Sequence, residues 1–333
     1  MNKRSVVKKM IHFLLITALV FLAACSSNSA GNKDNGLPSN YPDKPIDWLV
    51  GFVPGGTIDL TARQASKILN EQGIVSQPFV IKNMPGGGGA LAFQELKKRK
   101  NDPYVLVGMY EFGDPIWKGI GIEPSDIKPI IPLVASEVLV IVRKDSPYKT
   151  IEELLDALKS NPDLTISISS AIDGVETFYW DQIRQAYGIK KINYVPTGGG
   201  SESLTRLLGG QVDATLGIPS NVQDYIKTGD IRVLAVLSEK RSESFPDVPT
   251  LKEKGIDLVY KRTYGLVTGG EVPDATVDFW FKALKKVIET EEWKKMAKQR
   301  HLEIPTVQSP EEYYQYYMTS GEQYQKYVNS LKK

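Results

Sequence analysis

The sequence predicts an α/β protein built on two parallel or mixed β-sheets. Three observations carry that reading. Apolar strand-like runs alternate with amphipathic helical runs from residue 46 to residue 238, the pattern of repeated βα units whose strands are buried on both faces. Several of these strands lead into loops rich in glycine or small polar residues. The chain is 333 residues long, which fits two sheets with separate cores better than one very wide sheet.

The elements follow in order. "IDWLVGF" (46–52) reads as a strand. "TIDLTARQASKILNEQG" (57–73) reads as a helix with Ala62, Ala65, Ile68 and Leu69 on one face and Gly73 as its stop. "PFVIKN" is a short strand, "GGALAFQELKKRK" a helix opened by glycines, and "YVLVGM" a buried strand. A new unit starts at "VLVIVRKDSPYKT", where Thr150 and Glu153 form a capping box ahead of Leu154, Leu155 and Leu158. Strand "LTISISS", helix "VETFYWDQIRQAYG", strand "KINYVP" and helix "SESLTRLLGG" come next. Strand "VDATLGI", helix "SNVQDYIKTG" and strand "IRVLAVLS" complete the alternation. The C-terminal third reads as helical. Val277, Trp280, Phe281, Leu284 and Ile288 share one face, and Tyr313, Tyr317, Tyr324 and Val328 another; such aromatic stripes pack a helix onto a sheet.

Residues 1–24, "MNKRSVVKKMIHFLLITALVFLAA", combine four basic residues, an apolar run and small residues, the plan of a secretory signal peptide. Cys25 follows "LAA", and "Leu-Ala-Ala-Cys" resembles the bacterial lipobox, which implies lipidation at Cys25. Residues 25–43 read as a flexible tether, too polar to bury a core. Removing the four Lys/Arg of the signal from the 41 in the chain leaves 37 against 39 acids, a formal charge of −2. No basic face for nucleic acid is expected. The single cysteine excludes an intramolecular disulfide and a cysteine-based metal site. His301 is the one histidine left beyond the signal; it reads as structural, and a histidine-rich metal site is excluded.

The loops "VPGGTID", "NMPGGGG", "GMYEFGD", "SSAIDGVE", "PTGGGSES" and "GIPSN" all follow strands. In an open α/β sheet such loops face a common crevice, and a helix N-terminus behind a glycine turn suits an anion. "GGGALA" (Gly87–Ala92) meets the loose form of a dinucleotide fingerprint, but Pro85 and "NMP" separate it from its strand. No Walker A motif is present, and no cofactor is expected.

Four ordered stretches then resemble one family. "FVPGGTIDLTAR", "VIKNMPGGGGALA", "YVPTGGGSESLTRLLGGQVDA" and "IRVLAVLSEKRSESFPDVPTLKEKGI" are similar to the motifs of the extracytoplasmic solute receptors of tripartite tricarboxylate transporters (TctC/Bug-like proteins). The resemblance covers almost all of the chain beyond the signal. It implies a two-lobed, periplasmic-binding-protein-like fold of type II, a Venus flytrap with a mixed sheet flanked by helices in each lobe. Lobe 1 would comprise 44–142 plus 265–333, and lobe 2 residues 143–264. The chain departs from the family pattern at Met84 and Thr197, and carries acids at Glu111, Asp173 and Glu176 in segments expected near the cleft.

The ligand-binding candidates are Phe52, Gly55, Gly56, Thr57 and Asp59 in the first loop; Gly87 and Gly88 in the second; and Tyr110 with Glu111. In lobe 2 they are Ser170 with Asp173, Thr197 with Gly198 and Gly199, and Pro219. Asp59 is expected either to hold a water against the ligand or to serve as a simple first-turn acid, and a ligand carboxylate to rest on N–H groups without an arginine partner. The implied function is capture of a small organic carboxylate and delivery to membrane permease subunits, by a monomer held to the membrane by its lipid and without catalysis. Two alternatives stay open. The three acids would suit an amino acid or other zwitterion, and an exported enzyme would need an acid–base pair such as Glu111 with Asp173.

Overall fold

The structure is a computed structural model that describes residues 36–110, 121–169 and 172–331. The elements run β1 (Ile46–Val50), α1 (Thr57–Glu71), β2 (Phe79–Asn83), α2 (Ala90–Lys98), β3 (Val105–Tyr110) and β4 (Ile127–Glu137). Then come β5 (Leu139–Arg143), α3 (Ile151–Ser160), β6 (Thr165–Ile168), α4 (Val175–Tyr187), β7 (Asn193–Pro196) and α5 (Gly200–Leu208). The chain continues through β8 (Ala214–Gly217), α6 (Pro219–Lys227), β9 (Ile231–Val236) and β10 (Lys261–Gly269), and ends in α7 (Asp274–Glu289), α8 (Glu291–Gln299) and α9 (Pro310–Leu331).

The two five-stranded sheets share one plan. The first has the order β2-β1-β3-β10-β4 and the second β7-β6-β8-β5-β9. In each, three parallel strands are followed by one antiparallel strand that arrives from the other lobe. The chain therefore passes between sheets at Val138 and again between Tyr260 and Lys261, where Leu237 N–H donates to Val138 O (2.9 Å) and Tyr260 N–H to Leu237 O (2.6 Å). Both crossings fall four residues before the boundaries expected at 142/143 and 264/265, because β5 pairs wholly within the second sheet and β10 within the first.

β1 shows why the strands read as continuous apolar runs. Ile46, Trp48 and Val50 enter one buried cluster with α1 and α7, while Leu49 enters the cluster on the opposite face with α2. Side chains alternate across a strand, so a strand covered on both sides is apolar at most steps; the exception in β1, Asp47, pairs with Lys82 and Arg99. Each Leu or Ile so buried contributes roughly 1.5–3 kcal/mol relative to exposure.

Three expectations need correction. Residues 41–43 are not tether, since Tyr41 packs against Tyr104, Phe279 and Trp280 and Trp280 Nε1–H donates to its hydroxyl at 2.7 Å. The C-terminal third is not all helix, because β10 lies in it as the fourth strand of the first sheet. Nor does α9 belong to lobe 1 alone. Its first turn packs Tyr313 on β10, where a Cβ at Gly265 would strike the tyrosine hydroxyl. Further along, Tyr324 Oη donates to Asp173 O (2.5 Å) and Tyr327 Oη to Asp181 Oδ2 (2.9 Å) at α4.

Candidate functional site

The first glycine loop leaves β1 and enters α1, with Gly55 at φ +85°, a region closed to side chains with a Cβ. Asp59, only 2% exposed, braces it. Its Oδ2 accepts from Gly55 N–H (2.9 Å) and Arg63 Nε (3.0 Å), and its Oδ1 from Arg63 Nη2 (2.9 Å) and Asn83 Nδ2 (2.9 Å). Burial would raise this carboxyl, but the hydrogen bonds from Arg63, Gly55 and Asn83 outweigh it and hold Asp59 below the ordinary carboxylate range. These four contacts tie the Asp59 carboxylate to the loop at Gly55, to its own helix at Arg63 and to the end of β2 at Asn83. The second loop docks on the first, since a Cβ at Gly51 would stand 2.6 Å from Gly89 Cα. Gly86, Gly87, Gly88 and Gly89 all have positive φ, and Gly87 and Gly88 are exposed. Phe52 packs on Tyr110, ring centroids 5.2 Å apart.

Lobe 2 repeats the brace. Glu202 Oε2 accepts from Gly198 N–H (2.8 Å), and its Oε1 from Arg206 Nε (3.0 Å) and Nη2 (2.8 Å). Gly55–Asp59–Arg63 and Gly198–Glu202–Arg206 thus share their spacing and the glycine and arginine contacts, with Asp59 buried and also held by Asn83, and Glu202 exposed. Thr197 Oγ1 lies within hydrogen-bond reach of Ile168 O, Gly199 O and Ser203 Oγ, so this hydroxyl supports the loop. The N-cap glycines, Gly56 of α1 and Gly199 of α5, supply no side-chain cap, and neither does Ile218, which precedes Pro219 at the start of α6. Helix N-termini left this way, Thr57 opening one of them, offer N–H groups to an anion.

The charges at the cleft floor differ from expectation. Glu176, in the first turn of α4, accepts from Ser169 N–H and Ser169 Oγ and pairs with Arg262 Nη2 at 3.0 Å. The two side chains are 3% and 15% exposed, and they join β10 of one lobe to α4 of the other. Burial works against the Arg262 charge, but Tyr264, Glu176, Tyr260 and Tyr110 more than offset it, so the guanidinium is held well above its ordinary value. It sits 5.7 Å from the Tyr110 ring centre, a cation–π distance. A small cavity opens beside the pair, lined by Val138, Glu176, Gly200, Gly217, Asn221 and Arg262 among others. The structure thus places Arg262, an arginine the sequence reading did not single out, beside Glu176 at the cleft floor. Its one signal in the sequence was the pair of basic residues, Lys261 and Arg262, that opens "KRTYGLV".

Asp173 is half-buried in the turn two residues before α4. Glu111, Ser170 and Cys25 lie outside the described residues. His301 stands in a turn after α8, its Nδ1 3.0 Å from Ser244 Oγ. Among the described residues no group of three His, Cys, Asp or Glu side chains is arranged to hold a metal. No helix among them is long and apolar enough to cross a membrane.

Two sheets of one plan, two crossings between them and uncapped helix N-termini beside a charged floor define a two-lobed solute-binding protein. Residues 61–329 match the family model described as the tripartite tricarboxylate transporter family receptor, and the chain belongs to that family, whose members are extracytoplasmic solute-binding receptors. It is 31% identical to a UPF0065 protein from the gbd 5′ region of Cupriavidus necator, across 82% of this chain and 81% of that one. Its fold is similar to the periplasmic binding protein BugD (24% identity, 87% and 98% of the two chains, TM-score 0.75). It is likewise similar to MatC from Rhodopseudomonas palustris with bound malate (21% identity, 86% and 100%, TM-score 0.76).

Proposed function

We propose that this chain captures a small carboxylate-bearing organic molecule between its lobes and passes it to the membrane permease of a tripartite tricarboxylate-type transporter. The observation that carries the reading is the pairing of uncapped helix N-termini with a buried arginine at the cleft floor, an arrangement suited to an anion. Malate in MatC supports the same class. The loops bearing Gly55, Gly56 and Thr57 on one side and Gly198 and Gly199 on the other would close on the ligand, with Phe52, Tyr110 and Pro219 at its edges. Lobe 1 is residues 41–138 with 261–309, lobe 2 is residues 139–260, and α9 spans both. The protein acts as a monomer and without catalysis.

A thermal-shift screen of the full mature chain against organic acids and amino acids tests this. A ligand at about 100 times its Kd adds about 2.7 kcal/mol of stability, and a screen in which only amino acids stabilise would replace the carboxylate reading with the zwitterion one. The pairing of Glu176 with Arg262 favours the carboxylate, because it removes one of the three acids from free negative charge in the cleft.

The signal pattern and the "Leu-Ala-Ala-Cys" sequence support cleavage before Cys25, lipidation of its thiol and anchoring to the bacterial membrane. Cys25→Ser should yield an unlipidated protein that is released or poorly processed. A variant that is cleaved yet stays in the membrane fraction would show the anchor to be elsewhere.

A further inference from the structure

We infer that Arg262 receives the ligand's carboxylate, and that the Glu176–Arg262 pair makes this subsite select an anionic end with a short apolar body over an ammonium-bearing one. This deepens the carboxylate-receptor reading and rests on it.

Arg262 stands on β10 of the first sheet, opposite Ser136, yet its guanidinium lines a cavity whose other walls belong mostly to the second lobe. Its Nη2 bonds Glu176. The Nε is buried and has no hydrogen-bond partner among the described residues. A buried donor on a charged group is costly to leave unmade, and an entering carboxylate oxygen would satisfy it. The surroundings add to this. Gly200, in the uncapped first turn of α5, and Asn221 of α6 line the same cavity, so an anion there meets a guanidinium, a positive helix end and a side-chain amide together. Ile141, Leu204 and Val222 line the same cavity, so the part of a ligand next to the bound anion meets apolar side chains and not a second charge.

Selection against an ammonium follows from the contacts of Glu176. Both of its oxygens are already engaged, Oε2 by Ser169 N–H and Oε1 by Ser169 Oγ and Arg262. Glu176 therefore tempers Arg262 and competes with the ligand for it. That predicts opposite signs for two conservative changes. Arg262→Lys keeps the charge but removes the Nε–H and the planar fork, so carboxylate affinity should fall about tenfold or more, the scale of one charged hydrogen bond. Glu176→Gln keeps the shape and the contact to Ser169 but frees Arg262, so carboxylate affinity should be retained or rise.

The experiment is calorimetric titration of the full mature chain and the two variants with malate, glutarate and hexanoate. Malamide, in which both carboxyls are amides, serves as the neutral control. The expected result is binding of at least one acid by the wild type, no binding of malamide, weaker binding by Arg262→Lys and equal or tighter binding by Glu176→Gln. Arg262→Lys binding as tightly as wild type, or Glu176→Gln binding the acids more weakly, overturns the role of Arg262 and leaves the receptor reading standing. If Arg262→Lys does not fold, the sign of the Glu176→Gln effect decides. A wild type that binds none of these acids and none in the wider screen overturns both readings.

Discussion

At the scale of single residues, the two glycine loops owe their shape to acids that a helix-capping view would treat as decoration. Asp59 and Glu202 reach back to the N–H of a glycine four residues earlier, and each is held there by an arginine four residues later. Asp59→Asn should destabilise the protein at neutral pH by about 1–3 kcal/mol, the cost of weakening a buried charged network, measured by urea denaturation. The folded-state pKa of Asp59 is depressed, so its stabilisation is fully present above the ordinary carboxylate value near 3.8 and is lost as pH falls through the folded-state value. The gap between wild type and Asp59→Asn should therefore narrow on acidification below about pH 4; a gap constant from pH 7 to pH 2 would mean that the charge of Asp59 is irrelevant. Gly51 carries a second prediction. Its missing Cβ is what lets the second loop reach the first, so Gly51→Ala should cost about 1–3 kcal/mol through overpacking, read in the same denaturation assay.

At the scale of elements, β4 and α9 matter most. β4 carries Pro129 and Pro132 in the middle of an eleven-residue strand, and proline cannot donate to a ladder. It is accommodated because β4 is the outermost strand of the order and its pairing with β10 shifts register next to both prolines. α9 begins on β10 and finishes on α4, where Tyr194, Arg184 and Tyr327 converge on Asp181. Tyr327→Phe removes one donor from a buried carboxylate that keeps two others, so a loss of roughly 1.5–3 kcal/mol is expected. Hydrogen exchange should show faster opening of α9 than of α7. Equal protection of both helices in the variant would mean that α9 is held by its apolar face alone.

At the scale of the whole molecule, two lobes of matching topology meet at a pair of chain crossings and a bridging ion pair, with α9 spanning them as a third connection. A ligand that contacts both lobes stabilises the closed state by whatever it gains there over the open one. Any acid found to bind should therefore reduce the radius of gyration in small-angle X-ray scattering and slow hydrogen exchange in both loops, at Gly55–Asp59 and at Gly198–Glu202. Protection confined to one loop, with no change in dimensions, would describe a one-lobed site and not a closing cleft.

The alternation of elements, the glycine loops behind strands and the family are legible in the chain alone, because periodicity, turn residues and ordered motifs are local properties. The sequence reached α1 to its Gly73 stop and the Thr150 cap. It passed over β4, whose prolines argue against a strand until a neighbour shows that it lies at an edge. The packed fold set where the chain crosses between lobes and that α9 binds both of them. It also decided that Asp59 faces its own loop and that Arg262 meets Glu176 across 86 residues of sequence. Each of those depends on which strand pairs with which, and an ion pair between segments so far apart leaves no trace in local pattern until the two sheets bring its partners together.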